Sequence, residues 1–398
     1  MKLESKSSAV RLTLAVAAVA GLAAAGISCA HAQTLSIVHN FTGGSDGGAP
    51  DDGFTMGPTG ILFGTASTGG TYGHGVVFEV PATGQVKVLH SFAGGSDGAT
   101  PNGRVILANR VLYGTTTAGG TSGQGTVFKL EGMKETVLYS FAGGTDGAAP
   151  QAALILDAAG NLYGTTSAGG PAGNGTVFKL IAPRKKGGKW IEKVLYRFGT
   201  GTDGATPLSA VTMDAAGNLY GTTSMGGAYG YGTVFQLTPG TTWKETILHS
   251  FQNGDDGSIP YAGLISDAAG NLFGGTTQGG SAGGGTTFEL SGGSGNWTFT
   301  TLVSQAGWGI SGSFRDLMLD ESGVIYGTTH CDGDYVAGTL FKLTPSGGHW
   351  TYKLLYTFTG GSDGEYSISN LVMKNGRLYG TTIGGGANDA GVIYSFKP

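Results

Sequence analysis

Cysteine, charge and helical patterning are all scarce in this sequence. Of two cysteines in 398 residues, Cys29 lies in an apolar N-terminal stretch. Cys331 is then the one thiol of the remainder, which excludes an internal disulfide and a cysteine-based metal site. A chain of this length buries a sizeable core without such staples. Lys and Arg number 22 against 26 Asp and Glu, a formal charge of −4. With no dense basic cluster, that balance argues against nucleic acid and an anionic membrane as partners. No segment repeats apolar residues at helical spacing over roughly 10–15 positions, which excludes parallel βαβ folds. A nucleophile elbow, HExxH, a phosphate loop and a CxxC pair are absent as well.

Glycine, by contrast, is abundant, at 78 residues, and aromatics make up 10%. That is too aromatic for a disordered low-complexity chain and fits many short strands joined by tight turns.

The first 32 residues read as a secretory signal. Lys2, Lys6 and Arg11 precede an apolar run from Leu12 to about Ile27, and Ala30-His31-Ala32 supplies the small-x-small cleavage site. The run is too short and too rich in Ala and Gly for a membrane span. Gly26, where a lipoprotein usually has Leu, disfavours lipidation at Cys29. Cleavage after Ala32 predicts a secreted or periplasmic protein, with residues 33–398 as one domain. It removes three bases and one acid (Glu4), moving the charge from −4 to −6.

The motif [LI]-[YF]-G-[TG]-[TA] starts at Leu62, Leu112, Leu162, Leu219, Leu272, Ile325 and Leu378, at spacings of 50, 50, 57, 53, 53 and 53 residues. Periods of this size mark repeat architectures. Each unit has four strand signals, here lettered A to D. In the third they are Ala153–Asp157, Asn161–Thr165, Gly175–Leu180 and Lys193–Phe198. Four antiparallel strands repeated radially make an all-β, seven-bladed propeller. LSIVHNF at 35–41 reads as a D strand with nothing before it, and GVIYSF at 391–396 as a C strand with nothing after it. The N-terminal strand is therefore expected to complete the last blade and close the ring, pairing an edge otherwise exposed.

On LYGTTSAGG at 162–170, GTVFKL at 175–180 and SFAGGTDGAAP at 140–150, the repeats resemble the GloVer (Gloeo_Verruco) tandem-repeat family of secreted bacterial proteins. The resemblance covers residues 35–398. It implies an exported, propeller-like protein and no single established activity. Members often carry a C-terminal anchor; the sequence ends at Pro398, directly after its last strand, so anchoring by that route is not expected.

Alternating connections put the B–C loop (SAGGxxGxG) and the D–A loop (FxGGxDGxxP) around one mouth of the channel, where propellers bind ligands. The recurring Asp46, Asp97, Asp146, Asp203, Asp256 and Asp363 are expected to accept backbone N–H groups in Asx-type turns. One carboxylate per loop is a poor start for calcium, which takes six to eight oxygens; no cofactor is expected. Trp190, Trp243, Trp297 and Trp350 are expected to pack at the outer rim.

Departures from the repeat point to function. Where others carry Ser, Ala and Gly, blade 6 reads VIYGTTHCDGDYVAGTLFKL at 324–343, bringing His330, Cys331, Asp332, Asp334 and Tyr335. Its D–A loop reads SQAGWGISGSF, adding Trp308 and Phe314, and its A strand opens with Arg315-Asp316. Blade 7 adds Glu365, Tyr366 and Asn370, blade 1 adds Asp51, Asp52, Tyr72 and His74, and blade 2 adds Arg104. Blades 6, 7, 1 and 2 are consecutive in a closed ring, so these residues are expected to form one ligand-binding sector. Blade 4, with Tyr229 and Tyr231 at a loop tip, tempers the contrast.

Three functions suit such a sector. One is a binding module for an extracellular glycan, with Arg104, Trp308, Asp52, Tyr72, His74, Glu365, Tyr366 and Asn370 as contacts; aromatic, Asn and Gly-rich loops suit adaptable recognition. A second is an enzyme on an acidic polysaccharide. In a lyase Arg315 or Arg104 would neutralise a uronate, and His330 and Tyr335 would move protons. A glycosidase would instead use two carboxylates at a defined separation, with Asp316, Asp332, Asp334, Asp52 and Glu365 as candidates. The third is a protein-interaction scaffold. Cys331 reads as a structural thiol, and the protein as a monomer without a membrane span in its mature part.

Overall fold

The computed structural model describes residues 34–185, 187–293, 295–306 and 317–398. The expected signal segment and Trp308, Phe314, Arg315 and Asp316 lie outside the described residues.

Seven antiparallel sheets follow one another along the chain as propeller blades. In blade 3 the strands are Ile155–Leu156, Leu162–Thr166, Thr176–Ile181 and Ile191–Arg197. The A strand is shorter than the expected Ala153–Asp157, and all seven A strands have two or three residues. In blades 3, 4 and 5 a residue just before the A strand accepts a bond across the seam from the blade before. The Thr115 hydroxyl donates to the Ala152 carbonyl at 3.0 Å, Thr165 to Ser209 at 2.9 Å and Thr222 to Ala262 at 3.0 Å. Ring closure is as expected: Leu35–Asn40 runs antiparallel to Val392–Phe396, with Leu35 opposite Phe396 and Asn40 opposite Val392.

The repeat motif follows from packing. In blade 3 Gly164 lies opposite Phe178, and a Cβ on Gly164 would stand 2.7 Å from the Phe178 ring. The C-strand aromatic therefore lies flat over its neighbour only if that neighbour is Gly. At the top of the blade Thr166 and Thr176 bond through their hydroxyls at 2.8 Å, both buried.

Adjacent blades are joined by an aromatic relay. At three successive seams the Phe that ends the D strand meets the C-strand ring of the next blade edge-on: Phe92 with Phe128 at 5.1 Å, Phe141 with Phe178 at 5.1 Å, Phe198 with Phe235 at 5.2 Å. The relay crosses the closure too, from Phe41 to Phe78 at 5.3 Å. Each such pair is worth about 0.5–1.5 kcal/mol beyond its burial.

The loop aspartates are structural, by a longer reach than an Asx turn. Asp146 accepts the N–H of Ala142 at 2.6 Å and the Tyr139 hydroxyl at 2.6 Å. Asp256 does the same with Gln252 and with His249 Nε2, both at 3.0 Å. The carboxylate thus ties the loop to the ring seven residues earlier. That is why His or Tyr stands two residues before each of these phenylalanines.

Candidate functional site

A cavity of about 450 Å³ opens at the axis, where the D–A loops deliver the chain into the A strands. Its walls differ. Blades 3 to 5 present small or apolar side chains, among them Ala152, Ala153, Ala210 and Gly263, and blade 5 adds Tyr261. Blades 1, 2 and 7 present Asp52, Asn102, Arg104 and Asn370, and blade 3 adds Gln151.

Asp52 and Arg104 form a clasp across the seam between blades 1 and 2. The Arg104 backbone N–H donates to Asp52 Oδ2 at 2.7 Å, and its guanidinium stands 3.5 Å from Oδ1. Both side chains are about one-fifth to one-quarter exposed, so water is thinned but not excluded. Local chain geometry sets this up: Gly53 backs onto the Asn370 backbone so closely that a Cβ would lie 2.1 Å from the Asn370 carbonyl oxygen. Three blades therefore bring charged and amide groups to one side of the opening.

Other candidates lie elsewhere. His330 is not among the cavity-lining residues. Its ring stacks on Tyr366 at 4.6 Å, and its Nδ1 is 2.7 Å from Cys331 Sγ. Tyr366 holds a left-handed backbone at φ 59°, and its N–H donates to Ala337 at 2.8 Å, pinning the loop of blade 7 to that of blade 6. The Tyr366 phenol is pushed up, first by Glu365 and then by burial. Burial pushes up the carboxyl of Glu365, with Asp389 adding to it. Burial also raises Asp332, against the Gly333 N–H that it accepts. Tyr335 is 62% exposed and Tyr72 61%. His74 is exposed over Gly94 of the next loop, where a Cβ on Gly94 would meet its ring at 2.9 Å.

Of the residues expected to share one sector, Asp52, Arg104 and Asn370 line this cavity and His330 does not, and Arg315 lies outside the described residues. The reason is radial. A B–C loop joins middle strands, so its tip caps the neighbouring blade, whereas only residues entering an A strand reach the axis. Asn102, Gln151 and Tyr261 were missed by reading substitutions blade by blade. They share one position directly after the D–A loop proline, and that register was the available signal.

The family model of the Gloeobacter/Verrucomicrobia repeat matches residues 26–216 and 208–398. The chain belongs to this family. No curated protein matches the sequence. Among solved structures, the repeat protein is similar to the GH74 xyloglucanase from Xanthomonas campestris, with a TM-score of 0.57 at 13% identity, over 88% of this chain and 52% of that one. It is similar also to a candidate 6-phosphogluconolactonase from Bacteroides uniformis, with a TM-score of 0.53 at 15% identity, over 80% and 88% of the two chains. A third likeness is to a candidate 6-phosphogluconolactonase from Bacteroides fragilis, with a TM-score of 0.51 at 18% identity, over 80% and 86%. At such identities the likeness establishes the propeller fold and not a ligand. No helix among the described residues is long and apolar enough to cross a membrane.

Proposed function

We propose that this repeat protein is an exported glycan-recognition module that takes a neutral sugar unit into the axial cavity. The observation that carries the reading is the two-sided wall: the Asp52–Arg104 clasp with Asn102, Gln151 and Asn370, facing small residues and Tyr261. Vicinal sugar hydroxyls donate and accept at once, and an Asp–Arg pair flanked by amides offers both functions in fixed relative positions. The small-residue wall leaves room for a pyranose ring, and Tyr261 supplies an aromatic face.

A uronate is the weaker match. Asp52 already compensates the Arg104 guanidinium, so a carboxylate would compete with a carboxylate. This favours recognition of neutral sugars over lyase chemistry with Arg104 as the neutralising cation. The supporting experiment is a glycan array probed with the mature protein, followed by calorimetry on the hits with Arg104→Ala and Asp52→Ala. Binding of neutral glycans that both substitutions weaken supports the reading. Selective binding of polyuronates, or binding indifferent to both substitutions, would refute it.

A further inference from the structure

Around much of the ring, a tryptophan two residues ahead of the seam-facing D-strand position lies on the B-strand aromatic of the blade before. Trp190 meets Tyr113 at 6.2 Å, Trp297 meets Tyr220 at 5.8 Å and Trp350 meets Phe273 at 5.7 Å. Trp243 packs into the cluster that holds Tyr163. In blade 2 the same register position is Met133, two residues before Glu135, as Trp243 is before Glu245. Met133 sits in a tight connection between Thr126–Glu131 and Lys134–Ser140 and is 66% exposed. Under it, at the seam with blade 1, lies a cavity of about 420 Å³ lined by Phe63, Leu112, Leu130, Glu79 and Arg110.

The chemistry of this slot is legible from its counterpart between blades 5 and 6. There Phe273 lies opposite Glu289, and Trp350 packs edge-on to the ring, with its indole N–H near enough to offset part of the burial that raises the Glu289 carboxyl. Between blades 1 and 2 Phe63 lies opposite Glu79 in the same register. The Phe–Glu pair that receives an indole at one seam is present at the other without one. Two cations distinguish the new slot: Lys87, also in its lining, pairs with Glu79 Oε1 at 2.9 Å, and Arg110, exposed on the A–B turn of blade 2, lines it and has no ion pair among the described residues.

We propose that this slot binds a small indole-bearing carboxylate. The ring lies on Phe63 between Leu112 and Leu130, the indole N–H donates to Glu79, and the carboxylate meets Arg110. The site is on the rim and independent of the axial cavity.

The test titrates the full-length mature protein with indole-3-acetate, 1-naphthaleneacetate (no N–H) and indole (no carboxylate), followed by saturation-transfer NMR and calorimetry. Indole-3-acetate is expected to saturate one site, and each analogue to bind about fivefold or more weaker, as loss of a hydrogen bond to a charged group implies. Met133→Trp, at an exposed position, lets the chain fill its own slot. It should weaken indole-3-acetate by roughly tenfold or more while the melting temperature holds or rises. Arg110→Ala should remove the preference for indole-3-acetate over indole. No saturable binding at millimolar ligand would overturn the proposal. So would equal binding by the wild type and a folded Met133→Trp, or equal affinity for all three probes.

Discussion

Neutralising Glu245 should make the propeller more stable in alkali and leave it unchanged in acid. Glu245 sits on the D strand of blade 4, facing the seam with blade 3. There Tyr196 donates one hydroxyl proton to both Glu245, at 2.9 Å, and Asp203, at 3.0 Å. Its other oxygen is buried without a partner among the described residues. Burial, then the Asp203 charge, push the Glu245 carboxyl from 4.5 up to about 8. A folded-state value above the unfolded one means the folded chain holds the proton longer. The stabilisation is complete below about 4.5 and is lost as pH rises through about 8. The unscreened cost of the fully ionised group is on the order of 5 kcal/mol. Glu245 is only half-buried, and solvent screening reduces this to about 2 kcal/mol. Glu245→Gln removes that cost. Urea unfolding at pH 9 should show the variant about 2 kcal/mol more stable than the wild type, the difference vanishing near pH 5. A variant less stable at pH 9, or an equal gain at both pH values, would refute the reasoning.

Glu135 and Glu192, each pushed up to about 7 by burial and by a loop aspartate, stand at the same position of blades 2 and 3. The triple Gln variant should therefore flatten the fall in stability between about pH 5 and 9, read as melting temperature against pH. Phe141→Ala, which cuts the relay to Phe178, should cost about 3–5 kcal/mol in urea unfolding. Thr166→Val alone should cost about 1–3 kcal/mol by stranding the Thr176 hydroxyl and taking an acceptor from the Thr176 N–H, and adding Thr176→Val should recover only the part due to the hydroxyl. Blade 1 already carries the apolar version, with Ala66 opposite Val76.

The fold was legible because each rule repeats. Gly164 beneath Phe178, and the strand fragments at 35–41 and 391–396, encode blade geometry and closure by local chemistry that any one unit displays. What was not legible was distance from the axis. His330 and Arg104 are equally anomalous as substitutions, yet one ends against Tyr366 on a loop tip and the other at the axial cavity. Linear spacing carries the turn type and not the radius. Strand length was misread for a related reason: Ala153 and Leu154 look like strand, but their neighbourhood bonds across the seam. The glutamates at the seams were invisible among solvent-facing charges. Their partners, such as Asp203 for Glu245, lie in the loop entering the blade, some forty residues away in sequence, and meet them at the seam between neighbouring blades.

Calorimetry of array-selected neutral glycan against wild type, Arg104→Ala and His330→Phe tests the central claim most directly. Arg104→Ala should lose about tenfold or more in affinity, the cost of a hydrogen-bonded charged group. His330→Phe, which keeps an aromatic ring against Tyr366, should bind as the wild type does. Undiminished binding by Arg104→Ala, or a selective loss in His330→Phe, would contradict recognition at the axial cavity.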